Sequence, residues 1–144
     1  MNLSEYRQMV DVDLNINQTD LDTESLRTPQ LHSKYLNFLS DEKLILSKLD
    51  GEYRVIKKYK WLYYTGKLSQ EELEQFEWQP FQLSVLKTDI DKFMDADEDI
   101  QKIYSRMQYR KTVVDYLDSI IKIISNRQWN IRAAIDWLKF TNGQ

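Results

Sequence analysis

The chain predicts an all-α fold built on two long antiparallel helices with short flanking helices. Two observations carry this. Its 144 residues include three glycines and two prolines, too few for the tight turns of a sandwich or barrel. Two long segments also repeat inward-facing residues at alternating spacings of three and four, as helices packed along one stripe do. Leu46, Leu49, Tyr53, Ile56, Lys60 and Tyr63 form the first stripe. Ile100, Ile103, Met107, Arg110, Val114, Leu117, Ile121 and Ile124 form the second. Each is broken once by a basic residue.

Residues 1–30 read as a loosely ordered N-terminal segment. Residues 3–10 suit one or two helical turns. Val10, Val12, Leu14 and Ile16 alternate with polar residues, which predicts an extended stretch. Thr19 suits the cap of a short helix to about Arg27, ended by Pro29, and residues 30–39 form another. The first long helix is expected at 41–64, with Ser40 as its cap, Asp41 and Glu42 at its positive end, and Gly66 beyond it as a left-handed stop. Ser69-Gln70-Glu71-Glu72 is a helix start. Residues 76–88, with Pro80, read as a loop or docking segment. The second long helix is expected at 97–125, its start marked by Asp95, Asp97, Glu98 and Asp99. A break at 126–128 and a last helix at 130–140, stopped by Asn142-Gly143, complete a single domain over 1–144.

Composition excludes several functions. Hydrophobic residues are 42% and charged residues 30%, which is neither a disordered nor a membrane composition. No apolar run is long enough to span a bilayer, and the first residues, Met1-Asn2-Leu3-Ser4-Glu5, are not expected to act as a secretion signal. Cysteine is absent and His32 is the single histidine, so thiolate and histidine-cluster metal sites are excluded. No phosphate loop, nucleophile elbow or His-Glu-x-x-His occurs. Asp95-Ala96-Asp97-Glu98-Asp99 begins like a calcium loop, but Ile100 stands where glycine is needed and Arg106 where a carboxylate is needed. The expectation is a protein without cofactor or metal, and not an enzyme.

The net charge of −3 hides strong blocks: −4 over residues 1–30, +4 over 31–67, −8 over 68–100 and +5 over 101–144. A basic face is compatible with an acidic whole. The richest basic segment is 54–67. On a helix, Arg54, Lys57, Lys58 and Trp61 share one face by their i, i+3, i+4, i+7 spacing. Lys60 and Tyr64 lie on a neighbouring strip, and Lys67 follows in the turn. Phosphates require cations and unpaired bases require flat rings. This segment offers both; the alternative is a solvated helix face whose aromatic residues pack inward. In the last helix, Ile131, Ala134, Ile135 and Leu138 form one apolar stripe, and Trp129, Ala133, Trp137 and Phe140 another. A short helix apolar on two sides is either a central core helix or an interface between copies.

Four stretches, spread in order over residues 32–143, resemble the UvsY recombination mediator family of T-even-type bacteriophages. These are His32-Ser33-Lys34-Tyr35-Leu36-Asn37, the basic segment ending in Tyr63-Tyr64-Thr65-Gly66, Leu86-Lys87-Thr88, and the C-terminal set Arg127, Trp129, Ile131, Arg132, Asp136, Phe140 and Gly143. The resemblance implies an all-helical hexameric or heptameric ring in the cytoplasm of an infected bacterium. It implies binding to single-stranded DNA, to the phage recombinase and to the phage single-strand-binding protein. The implied role is to load the recombinase onto covered DNA in recombination, recombination-dependent replication and repair. The family's DNA-contacting basic pair aligns with Lys58 and Lys60. Where the family can carry arginine, Lys60 lacks the planar fork. The competing reading is a helical adaptor or scaffold without direct DNA binding.

Overall fold

The computed structural model describes residues 1–143. It contains helices α1 (Leu3–Asp13), α2 (Leu21–Tyr64), α3 (Gln70–Phe76), α4 (Ile90–Asp95), α5 (Glu98–Ser125) and α6 (Arg127–Thr141). A 3-10 turn, Lys87–Asp89, precedes α4, and no strand occurs among the described residues. The all-α expectation holds. The chain forms two compact units. One joins Met1–Leu44 to the chain from Arg110 onward, and the other spans Ile45–Tyr109.

In the first unit, α1 takes Val10–Asp13 of the extended stretch expected over Val10–Ile16, and Leu14, Asn15 and Ile16 lie beyond its end. Asn2 and Glu5 close a capping box: each backbone N–H donates to the other's side chain at 2.8 Å. The 3–4 spacing Leu3, Tyr6, Val10 sends Tyr6 and Val10 inward, while Val12 stays exposed. The alternation was real in sequence but a helix turns only part of it inward. Three hydrogen bonds fasten α1 antiparallel to α2. The Tyr6 hydroxyl donates to Glu42 Oε1 at 2.9 Å, and Asp13 accepts from Lys34 at 2.7 Å and from the Tyr35 hydroxyl at 2.9 Å. The N-terminal segment thus contributes a helix that packs on α2.

A single 44-residue helix, α2, runs where two short helices and one long helix were expected. Pro29 lies inside it. Ser40 is not a cap; its hydroxyl donates back to the Leu36 carbonyl. A helical proline leaves the carbonyl four residues earlier without a donor and crowds it. That carbonyl belongs to Ser25. The start of α6 supplies what is missing: Gln128 Nε2 donates to the Ser25 carbonyl at 3.1 Å, and Arg127 donates to the Glu24 carbonyl, the Glu24 carboxylate and Thr28 Oγ1. The donors sit about a hundred residues downstream, so no local reading could find them.

The rest of this unit's core comes from Leu31, Tyr35 and Leu39 on α2, Val113, Leu117, Ile120 and Ile124 on α5, and Ile131 on α6. Arg110, the break in the second stripe, donates to the buried Glu42 carboxylate at 2.9 Å. Pairing Glu42 with Arg110 and Glu24 with Arg127 sets α2 antiparallel to the α5–α6 run. The last helix begins three residues before its expected start, directly after the break at Asn126.

In the second unit, Ile90, Met94 and Ile100 form a small core against Tyr53, Ile56, Tyr64 and Val85. Contacts Tyr53–Tyr104 and Lys60–Asp97 make α2 and α5 antiparallel here too. Ser69 caps α3 by accepting from Glu72 N–H, as its sequence indicated. Gly66 takes φ +72, the left-handed stop expected after α2.

Glu24 is shared by two cations, Arg127 on its buried side and Arg27 at 3.0 Å on its more exposed side. Arg127→Met therefore leaves Arg27 in place and is expected to cost about 1–3 kcal/mol in urea unfolding, from the buried acceptors that lose their donor, whereas Arg127→Met with Glu24→Leu is expected to cost less. Equal losses in the single and double variants would show that the pair is not what holds α6 against the Pro29 turn.

Candidate nucleic-acid interface

The basic segment occupies the last three turns of α2, a position made rigid by the aromatic cluster behind it. Tyr63 packs edge-on to Trp78 at 5.4 Å and near Phe81 at 5.7 Å; Tyr64 packs on Phe81 at 5.0 Å and Phe93 at 5.8 Å. Tyr63 also donates its hydroxyl to the Gln79 carbonyl.

Five of the seven residues singled out from sequence lie on the accessible side. Lys57, Lys58 and Lys67 are exposed and carry no ion pair among the described residues. Arg54 is exposed and holds Asp50 at 3.0 Å. Trp61 is 42% exposed, with the Lys67 ammonium 4.5 Å from its ring centre. The other two turn inward. Tyr64 is half-buried and donates its hydroxyl to Asp97 at 2.6 Å.

Lys60 requires a correction. It is 5% exposed, bonded to Asp97 at 3.1 Å and Asp99 at 2.9 Å, with its ammonium 3.9 Å from the Trp78 ring centre. Its ammonium is paired with carboxylates of its own unit, unlike those of Lys57 and Lys58. The reason was visible in the stripe: Lys60 stands at an apolar position of the heptad, and an inward lysine needs a buried acid. The acid is Asp97, whose other oxygen caps α5 by accepting from Ile100 N–H at 3.0 Å. The run Asp95–Asp99 thus acts as a helix start, an ion-pair partner and a tyrosine acceptor.

Burial alone pushes the Asp97 carboxyl up. The hydrogen bonds from Tyr64, Ile100 N–H and Lys60, with the lysine charge, outweigh it and hold Asp97 below its ordinary value of 3.8. Burial first, and then its hydrogen bond to Asp97, push the Tyr64 hydroxyl up.

The C-terminal set divides as well. Ile131 is 1% exposed and belongs to the core; Ala134 and Ile135 are half-buried. Trp129, Trp137, Leu138 and Phe140 are exposed, and Trp137 and Phe140 stack with ring centres 5.8 Å apart. One side of α6 packs at home and the other presents three large aromatic rings uncovered.

The family described as "Recombination, repair and ssDNA binding protein UvsY" matches residues 9–144. This chain belongs to the UvsY family. Its relatives include the "Recombination protein uvsY" of Enterobacteria phage T4, 26% identical over the full length of both chains. Crystal structures of the bacteriophage T4 recombination mediator protein UvsY share its fold. One has a TM-score of 0.86 at 22% identity, covering 99% of this chain and 98% of that one. A second crystal form also scores 0.86, covering 97% and 99%. As a UvsY-family member the chain belongs among phage recombination, repair and single-stranded-DNA-binding proteins. No helix among the described residues is long and apolar enough to cross a membrane.

The Lys60–Asp97 pair makes two expectations. Lys60→Ala should lower stability by roughly 3 kcal/mol, because it strands a buried carboxylate, while Lys58→Ala should leave the melting temperature unchanged. Because the folded-state pKa of Asp97 is depressed, its stabilisation is present above about pH 4 and is lost as pH falls through the folded pKa. Chemical denaturation between pH 7 and pH 2 should show this acid loss reduced in Asp97→Asn. An equally steep loss in that variant would assign it to other carboxylates.

Proposed function

We propose that this chain is a recombination mediator. It binds single-stranded DNA along the exposed strip Arg54, Lys57, Lys58, Trp61 and Lys67, and promotes loading of the phage recombinase onto DNA covered by the phage single-strand-binding protein. The observation that carries the reading is the strip itself: Lys57, Lys58 and the 42% exposed Trp61 on the end of α2, with Lys67 just beyond it, the three lysines without an ion pair among the described residues, in a chain whose family binds single-stranded DNA. The T4 relative is described as a recombination mediator, which favours the same role here.

No nucleotide-binding motif is present, so the free energy comes from binding. A homo-oligomeric ring assembled through the exposed aromatic side of α6 multiplies one modest strip by the number of subunits. Tethered strips act at high effective concentration, so weak contacts become tight in sum. A strand bent along such a ring is repositioned relative to its covering protein and offered to the recombinase. Three uncovered rings on α6 suit an interface because aromatic anchors dominate the energy of protein contacts. Six or seven subunits is the ring size the family suggests.

Single-strand binding measured against salt tests the strip. Lys57→Ala with Lys58→Ala should lower the slope of log affinity against log salt by about 1.4 per engaged subunit, 0.7 for each cation. An unchanged slope would favour an adaptor that does not touch DNA. Assembly is tested by sedimentation of Trp137→Ala with Phe140→Ala. Both rings are exposed, so the fold should survive while the species becomes smaller and the affinity falls further than two lysines explain. A full-size assembly in that variant would place the contact elsewhere.

A further inference from the structure

A cleft of about 550 Å³ lies beside the end of α2, between Trp61–Lys67 on one side and residues 83–90 on the other. Its wall on the α2 side is fixed. Thr65 Oγ1 donates to the Trp61 carbonyl at 2.8 Å, and Tyr64 is held by Asp97, Phe81 and Phe93. The opposite wall runs from the non-helical residues 83–86, where Leu83 is 64% exposed, through the 3-10 turn at Lys87 to the start of α4 at Ile90.

The charges of this cleft run against those of its surroundings. Residues 68–100 carry net −8 with two lysines. Lys92 is held by Asp89 at 3.4 Å. Lys87 is exposed, has no ion pair among the described residues, and lines the cleft. Lys67 lines the other side, and no carboxylate is among the lining residues. A concave site with two cations that carry no ion pair among the described residues, a half-exposed indole and an open apolar wall, one side of it in the most acidic stretch of the chain, fits a ligand with phosphates and a flat ring.

We infer that this cleft is a nucleotide subsite of the single strand: one base enters it and stacks on Trp61, and its flanking phosphates meet Lys67 and Lys87. Helix rise sets Lys57 about 6 Å along the axis from Trp61, so a strand crossing Lys57 and Lys58 arrives at the cleft mouth. The strand then leaves α2 and crosses to the 83–87 segment, which the basic helix alone would not indicate. Stacking is tolerant of base identity because every base has a π face, so the subsite confers grip without sequence preference. The inference rests on the single-strand reading above and extends it to residues outside α2.

The test compares oligothymidylate with an abasic strand of equal length and charge, using the full chain. Oligothymidylate should quench tryptophan emission, the abasic strand should not, and Trp61→Phe should lose the quenching. Lys87→Gln should melt like the wild type, lower the salt slope by about 0.7, and weaken binding about threefold at 0.2 M salt for each engaged subunit. Equal quenching by both strands, or a Lys87→Gln variant with unchanged affinity and slope, would overturn the subsite. If the double variant at Lys57 and Lys58 were still impaired in that case, DNA binding along α2 would stand without it. A wild-type chain that binds neither strand would overturn both.

Discussion

Charged residues buried in the seams between helices are the constraint on which this structure depends. Three interrupt the inward side of α2: Glu24, Glu42 and Lys60, which meet Arg127, Arg110 and Asp97 respectively. They are spaced 18 residues apart, which is five turns of α-helix. Apolar stripes with three–four spacing tolerate a slip of one heptad, because one leucine fits where another did. A buried charge does not tolerate it, because the slip sets it against hydrocarbon. Single polar residues fix register in coiled coils for the same reason. Within each unit, these pairs set which residue of α2 faces which residue of the later helices.

The same pairs decide which cations remain for function. Lys60 and its neighbours Lys57 and Lys58 are equivalent in composition, yet the heptad turns Lys60 onto Asp97 and Asp99 and leaves the others in water. Lys67, past the end of the helix, lies over the Trp61 ring instead of on a carboxylate. The acidic block at 68–100 therefore does two things within its own unit. It neutralises the inward lysine, and Lys87, which has no ion pair among the described residues, is left lining the Trp61 cleft.

Much of this was legible in the sequence. The glycine and proline counts, the two heptad stripes and the Ser69 and Gly66 signals gave the helical class and most boundaries of the second unit. The two basic interruptions, Lys60 and Arg110, were visible as irregularities, and both mark ion pairs. For Lys60 the sequence carries two conflicting signals, clustering with Lys57 and Lys58 and a place in the apolar stripe, and the fold follows the second. Pro29 was read as a helix end because its compensation, Arg127 and Gln128, is remote in sequence. Val10–Ile16 was read as extended because a short stretch of alternating residues satisfies either period, and the Asn2–Glu5 capping box that decides it sits at the other end of the helix. Lys87 belongs to a resembling stretch of sequence, but only the fold brings it to line the same cleft as Trp61.

The central claim is that the fold draws Lys60 inward and leaves Lys57, Lys58 and Lys67 for the single strand. Lysine acetylation read by mass spectrometry, with and without an oligonucleotide, tests it in one experiment. The expected result is rapid modification of Lys57, Lys58 and Lys67 in the free protein, their protection by single-stranded DNA, and a Lys60 that resists modification in both states. A Lys60 that is readily acetylated in the free protein and protected by DNA would contradict the account.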